Sequence, residues 1–248
     1  MKDWDIMRIR STIFFIIFIF IIGFIYSQTL ELELLKRKEN RINSYYNLAK
    51  VAKDKNDKIK IMEDILNEYD KEGYSKKDKK LIDIADKFVM EGVFDKEFEG
   101  NRLINDFPEV RLQAVKLLAK IGGDNQRDML MNIFISDDNL VVKAEACEAF
   151  IQFGETANGD VVRTIIYVYR KYLPRYPKLI FAMINALREF VTPDSPSYDA
   201  AIYLLSEIQM GSFNNTIRQK AGEAIDYLIN KGDIQDKEKK DKETKNNP

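Results

Sequence analysis

A sequence pattern that spans 17 residues (122 − 106 + 1) occurs in two copies in this chain. It constrains the fold more than any other feature. The first copy, DFPEVRLQAVKLLAKIG, spans Asp106–Gly122, and the second, DNLVVKAEACEAFIQFG, spans Asp138–Gly154. A single offset of 32 residues (138 − 106) aligns them. Two looser copies lie at Leu179–Phe190 and Ile217–Leu228. Self-similarity of this kind predicts structural units that stack on one another.

The apolar residues of the first copy have the spacing of one face of a helix. They are Val110, Ala114, Leu117, Leu118 and Ile121, at i, i+4, i+7, i+8 and i+11. Asp106 stands where an N-cap residue is expected, Pro108 lies in the first turn, and Gly122 marks the end. Each copy is therefore predicted to be an amphipathic helix.

Each repeat has room for a second helix. The first apolar residues of the four copies, Val110, Val142, Leu179 and Ile217, are 32, 37 and 38 residues apart by subtraction. We expect the partner helices at Arg127–Ile135, Val161–Leu173 and Tyr198–Met210. With only 6 prolines and 11 glycines in 248 residues, and few strand signals, the sequence predicts an all-α fold, a solenoid of stacked antiparallel helix pairs.

The pattern Asp-x-x-x-Val-Arg-x-x-Ala-x-x-Leu-Leu-x-x-Ile-Gly resembles HEAT repeats, in particular the short kind of the phycobilin lyase-like HEAT proteins, with an armadillo-like architecture. The resemblance covers roughly residues 77–230 when the weak copies are included. It implies a polar ladder that bonds neighbouring repeats through Asp106, Arg111, Asp138, Lys143 and Arg218. Ile180 replaces the base in the third copy, and the fourth has no matching Asp. Alternatively, the three bases form a column on one face.

An unbroken apolar run, IFFIIFIFIIGFIY, occupies the 14 residues (26 − 13 + 1) from Ile13 to Tyr26 and follows the basic residues Lys2, Arg8 and Arg10. As a helix it would extend about 21 Å, short of a bilayer core of about 30 Å. The pattern predicts either a signal peptide cleaved after Ser27 or an uncleaved N-terminal membrane anchor. In both cases we expect the remaining chain to be exported, either to the periplasm or to the outer face of the inner membrane.

These features divide the chain into four segments. Residues 1–27 form the signal peptide or anchor, 28–76 an N-terminal helical cap, 77–230 the repeats, and 231–248 a charged tail. The tail alternates Lys with Asp and Glu and contains one aliphatic residue, Ile234. The tail has too little apolar surface to offset the conformational entropy that the chain would lose on folding, so we expect it to be disordered.

Residues 161–188 contain no acid and are rich in basic and aromatic side chains. The candidate partner-binding residues on this segment are Arg163, Tyr167, Arg170, Lys171, Arg175 and Lys178. Basic groups beside aromatic rings suit an anionic partner, such as an acidic protein, lipid headgroups or cell-wall polymer. A solvated face whose tyrosines pack near Pro174 and Pro177 is the alternative.

The sequence has no pattern typical of an enzyme. It lacks histidine, a glycine-rich phosphate loop and a nucleophile elbow, and its single cysteine, Cys147, cannot form an internal disulfide. We therefore expect no catalytic residue, metal or cofactor. A net charge of −1 excludes a globally basic nucleic-acid binder, and the predicted export argues against nucleic acid as a partner for the basic segment. The prediction is an exported scaffold or adaptor that binds a protein partner in an envelope complex. The alternative is a protein that tethers the envelope by binding lipid or cell wall. A third, weaker option is a hydrolase of the envelope, since a glycosidase needs only two acids that are distant in sequence. The oligomeric state stays open.

Overall fold

The predicted all-α fold is confirmed in a computed structural model of the chain. The backbone is described for residues 2–71, 73–74 and 78–246, and side chains for residues 24, 27–71, 73–74 and 78–231. Within these limits the structure contains ten helices and a single two-stranded hairpin.

The helices follow one another in the order α1 (Lys2–Val51), α2 (Lys55–Tyr69), α3 (Lys79–Met90), α4 (Pro108–Ile121), α5 (Asp124–Ser136), α6 (Leu140–Phe153), α7 (Asp160–Tyr172), α8 (Pro177–Phe190), α9 (Tyr198–Met210) and α10 (Asn215–Asn246). Strands β1 (Phe98–Glu99) and β2 (Arg102–Leu103) form an antiparallel hairpin between α3 and α4. Phe98 lies opposite Leu103.

The chain forms two compact units, residues 1–50 and residues 51–248. In the first unit, α1 exposes the large side chains of Phe24, Leu30, Leu32, Leu34 and Leu35. In the part of the chain with described side chains, no helix is long and apolar enough to span a membrane. The predicted signal peptide or anchor, residues 1–27, lies outside those side chains except at Phe24 and Ser27.

In the second unit the helices form two layers. Helices α2, α4, α6, α8 and α10 pack side by side in that order and form the first layer; α3, α5, α7 and α9 form the second. The alanines of the repeat pattern, Ala114, Ala146, Ala186 and Ala224, are buried. Because these side chains are small, successive helices of the first layer can approach closely.

Each repeated helix buries most of its apolar stripe. In α4, Val110, Ala114, Leu117, Leu118 and Ile121 are each at most 1% exposed. The second-layer helices α5, α7 and α9 lie where the partner helices are expected, and the bounds of α9 match the prediction. The hydrophobic period is therefore sufficient to locate both helices of each repeat.

Asp106 is not the N-cap of α4, as the sequence suggests. Phe107 holds that position without a side-chain cap, and the Asp106 carboxylate instead pairs with Arg111 at 2.6 Å. In α6 the N-cap is Asn139, whose side chain accepts hydrogen bonds from the N–H groups of Val141 and Val142. The guanidinium is a stronger partner for a carboxylate than a neutral backbone N–H.

The C-terminal helix α10 runs to Asn246. The tail predicted to be disordered comprises residues 231–248. Its side chains after Lys231 are outside the described part of the chain.

Candidate functional site

An open groove of about 620 Å³ crosses three successive helices of the first layer. Its lining includes Asn67 from the end of α2, Gln113, Lys116 and Ala119 from α4, and Glu148 and Gln152 from α6. These residues flank a floor that includes the buried Val115 and Ala149, where neighbouring helices of the layer meet. The groove is therefore built by the repeat itself.

The chemistry of the groove is mixed. The amides of Asn67, Gln113 and Gln152 offer donors and acceptors. Lys116 and Glu148 add opposite charges, and within the described residues neither forms an ion pair. Such a lining suits the alternating donors and acceptors of a polypeptide better than a ligand of one charge.

Five of the six predicted basic and aromatic residues lie on α7 or in the link that follows it. Arg163, Tyr167, Arg170 and Lys171 are exposed on one face of α7 and, with Ile166, line a shallow pocket of about 520 Å³. Arg175 follows in the link to α8, and Lys178 lies in the first turn of α8. We call the six predicted side chains the basic-aromatic patch; Ile166 is not part of it.

Acidic side chains from outside residues 161–188 neutralise half of this patch. Arg163 pairs with Asp160 at 2.5 Å, Arg170 lies 3.7 Å from Glu207 on α9, and Lys178 lies 3.9 Å from Glu145 on α6. In the described part of the chain, Lys171 and Arg175 have no carboxylate partner. An acid-free stretch of sequence thus gives a much less basic surface than its composition suggests.

The last turn of α7 is more exposed than its helical period predicts. Tyr172 lies seven residues after the buried Ile165, a spacing that predicts the same core face, but it is 37% exposed, and its hydroxyl donates to the Ile135 carbonyl at the end of α5. The Lys171 Nζ atom lies 5.0 Å and 5.4 Å from the ring centres of Tyr172 and Tyr167. Tyr172 is at the rim because its hydroxyl reaches a carbonyl that the helix leaves unpaired.

Arg111 joins three segments of the structure. Its guanidinium bonds Asp137 at 2.7 Å, Asp106 at 2.6 Å and the backbone carbonyl of Glu91 at 3.2 Å. Arg111 is 3% exposed and the Asp137 side chain is 0% exposed. Glu91 and Asp137 are the C-cap residues of α3 and α5. The cation therefore lies at the negative ends of two helix dipoles.

Lys143 occupies the equivalent place in the next repeat but uses different partners. Its ammonium donates to the carbonyls of Phe134 and Ile135, at 2.7 Å and 2.9 Å, in the last turn of α5. The same Nζ atom lies 4.3 Å from the centre of the Tyr172 ring. Asp138, the acid expected to pair with it, is exposed.

The other predicted positions do not extend this row. Ile180, which replaces the base in α8, is buried, and Arg218 bonds only Asn215 of its own helix among the described residues. The row instead begins one helix earlier with a pair that the repeat pattern does not reveal. Lys58 on α2 bonds Glu91 at 2.5 Å, with the side chains 5% and 7% exposed. We call Lys58, Arg111 and Lys143 the buried cation row.

The burial of the Lys143 ammonium should make the folding stability of the second unit depend on pH. Burial lowers the pKa of Lys143 to about 8, although Asp137 and Asp138 oppose the change. An unfolded lysine titrates near about 10.4. Between these values the unfolded chain holds a proton that the folded chain has lost, so stability rises with pH. As the pH rises from about 8 to about 10.4, we expect the unfolding free energy of the native chain to increase by on the order of 1–3 kcal/mol relative to that of a Lys143→Met variant.

Urea unfolding of both proteins at several pH values across the window, followed by circular dichroism, measures this difference. Groups common to both proteins, including the tyrosines, cancel in the comparison. A difference that stays constant as the pH rises would show that Lys143 keeps its ordinary pKa.

The hairpin between α3 and α4 is a surface feature that the sequence analysis missed. Residues 91–107 form a link of 17 residues (107 − 91 + 1), whereas residues 137–139 alone join α5 to α6. Phe94, Phe98 and Ile104 are 49%, 59% and 41% exposed on this link. The available signal was its length, since a long connection within a compact unit is often functional.

Comparisons of the chain with protein-family models, with curated proteins and with solved structures gave no match. Among the described residues no group of three or more His, Cys, Asp or Glu side chains could hold a metal ion.

Proposed function

We propose that this chain is a non-enzymatic scaffold of HEAT-like repeats that binds a protein partner along the groove across α2, α4 and α6. The groove itself carries the proposal, because three successive helices of one layer contribute to it. A surface built in this way grows with the number of repeats and suits an extended partner.

The buried cation row supports a scaffold because it fixes the positions of neighbouring helices. Arg111 bonds the ends of both α3 and α5, and Lys143 bonds α6 to the end of α5. A partner that binds across α4 and α6 therefore meets side chains whose spacing is already set. Such preorganisation lowers the entropic cost of binding.

The partner that fits this groove is an extended protein segment of mixed polarity. Amides on all three helices can pair with peptide N–H and C=O groups, while Lys116 and Glu148 select oppositely charged side chains. With the apolar run 13–26 ahead of it, the scaffold would work in the exported compartment, where it would help to assemble an envelope complex.

A photoreactive amino acid at Gln113, on the groove side of α4, is expected to form an adduct of one discrete mass in the native envelope fraction. The matched control carries the same group at Asp199, an exposed residue in the first turn of α9 in the second layer. Adding Glu148→Arg to the Gln113 variant should reduce the adduct about tenfold, because it reverses a charge within the groove.

Mass spectrometry of the adduct identifies the partner. The proposal is wrong if illumination gives no adduct at Gln113, or if Gln113 and Asp199 give the same set of adducts.

A further inference from the structure

One edge of the second unit brings together the C-terminal ends of three second-layer helices. Arg111 bonds the C-cap residues of α3 and α5, and Lys143 bonds the last turn of α5 while its Nζ atom lies 4.3 Å from the Tyr172 ring, at the end of α7. The hairpin leaves this edge after α3, and residues 173–176 leave it after α7. The hairpin and the end of α7 therefore share one edge, separated by the α5–α6 repeat.

The hairpin presents apolar and acidic side chains from a fixed position. Its exposed apolar residues are Phe94, Phe98 and Ile104. Its three acids, Asp95, Glu97 and Glu99, outnumber its two bases, Lys96 and Arg102, so residues 94–104 carry a net charge of −1 (2 − 3). The buried side chain of Asn105 accepts from the Glu97 N–H at 2.9 Å and donates to the Asp95 carbonyl at 2.8 Å. These bonds hold the hairpin in place while Phe94 and Phe98 stay exposed on it.

The end of α7 presents the complementary chemistry. Leu173 is 67% exposed and has a φ of 40°, a left-handed conformation that few non-glycine residues adopt. Beside it lie the exposed Tyr167 ring and the cations Lys171 and Arg175, which have no carboxylate partner among the described residues. This surface, Tyr167, Lys171, Tyr172, Leu173 and Arg175, is here called the α7 end.

We propose that a second copy of this chain covers both surfaces, with the hairpin of each copy docked on the α7 end of the other. Since both surfaces lie on one edge, a single two-fold rotation makes both contacts and closes the assembly as an antiparallel dimer. The phenylalanines of the hairpin would cover Leu173 and Tyr167, and its acids would meet Lys171 and Arg175. Both halves of the interface then lose exposed apolar surface.

A second copy fits this edge better than an anionic membrane. A flat anionic surface would attract Lys171 and Arg175, but it would repel the hairpin, whose net charge over residues 94–104 is −1 (2 − 3). A copy of the chain satisfies both signs of charge at once.

Disulfide cross-linking of the full chain tests the dimer. Two differently tagged copies are expressed together, one with Asn101→Cys in the hairpin turn and one with Arg170→Cys next to Lys171. The native Cys147 does not interfere, because it is 0% exposed and burial raises the pKa of its thiol. We expect mild oxidation to give a product of twice the 29.0 kDa chain mass that carries both tags.

The control pair combines Asn101→Cys with Asp199→Cys, at the N-terminal end of α9 on the opposite edge. It should give about tenfold less product, and Lys171→Glu should reduce the Asn101–Arg170 product by a similar factor, about tenfold. Adding Glu97→Lys to both copies should restore it. Circular dichroism checks that each variant is folded.

Three results would overturn the proposal: a product no greater than that of the control pair, no effect of Lys171→Glu, or no restoration by Glu97→Lys. If Lys171→Glu instead releases the full chain from vesicles of anionic lipid while cross-linking stays at the control level, the α7 end binds lipid and the dimer is wrong.

Discussion

Replacing Arg111 with Met is expected to lower the unfolding free energy by about 3–5 kcal/mol, since removing one member of a buried ion pair leaves the other charge without compensation. Asp137 would be that charge: its side chain is 0% exposed, and the Arg111 guanidinium is its cationic partner at 2.7 Å. Asp106 would be affected less, because its side chain is 45% exposed and water can solvate it. For a unit of this size the midpoint of thermal unfolding should fall by roughly 6–20 °C.

Thermal unfolding of the full chain in mild detergent, followed by circular dichroism, measures the effect. The matched control is Lys120→Met on the same helix, whose ion pair with Asp70 is 38% and 72% exposed and should contribute at most about 1 kcal/mol. Adding Asp137→Asn to Arg111→Met should recover part of the loss, because it removes the stranded charge. Equal effects of Arg111→Met and Lys120→Met would show that burial adds nothing to this pair.

Helices α4, α6, α8 and α10 could be predicted because they repeat one simple pattern. The apolar stripe from Val110 to Ile121 locates α4 and its core face, and the spacing of the copies locates the partner helices. Packing in layers follows, because a helix with one apolar face must bury it against a neighbour. Nothing in the stripe, however, specifies where a polar side chain finds its partner.

The details of the polar ladder could not be predicted for this reason. Asp137 and Asp138 are adjacent in sequence, and the repeat pattern selects Asp138, but the buried partner of Arg111 is Asp137. The observed partner is one residue earlier in the sequence than the predicted one, because α5 ends with Asp137 as its C-cap. The ends of helices are the least certain part of any helix prediction.

The charge of the basic-aromatic patch could not be predicted because two of its three acids come from other helices. Glu145 and Glu207 reach Lys178 and Arg170 from α6 and α9. A count of charges along residues 161–188 cannot include them. The hairpin was missed for another reason, since two strands of two residues each are too short to show an alternating pattern.

The pair of Lys58 and Glu91 gives the second large expected effect and shows how far the buried cation row extends. Lys58→Met should destabilise the second unit by about 3–5 kcal/mol, because the Glu91 carboxylate, 7% exposed, would lose its ammonium partner at 2.5 Å. The substitution also removes an ammonium that lies 5.1 Å from the Phe107 ring centre. Since Glu91 also offers its carbonyl to Arg111, we expect the effects of Lys58→Met and Arg111→Met not to add.

Urea unfolding of the two single variants and the double variant measures this coupling. Lys55→Met is the matched control on the same helix, because its ion pair with Glu109 is 41% and 57% exposed and should contribute at most about 1 kcal/mol. If the effects of Lys58→Met and Arg111→Met add within about 0.5 kcal/mol, the two cations act independently. A non-additive result would instead mean that Glu91 couples them, so that the part of the row on α2 and α4 responds as one network to the loss of either cation.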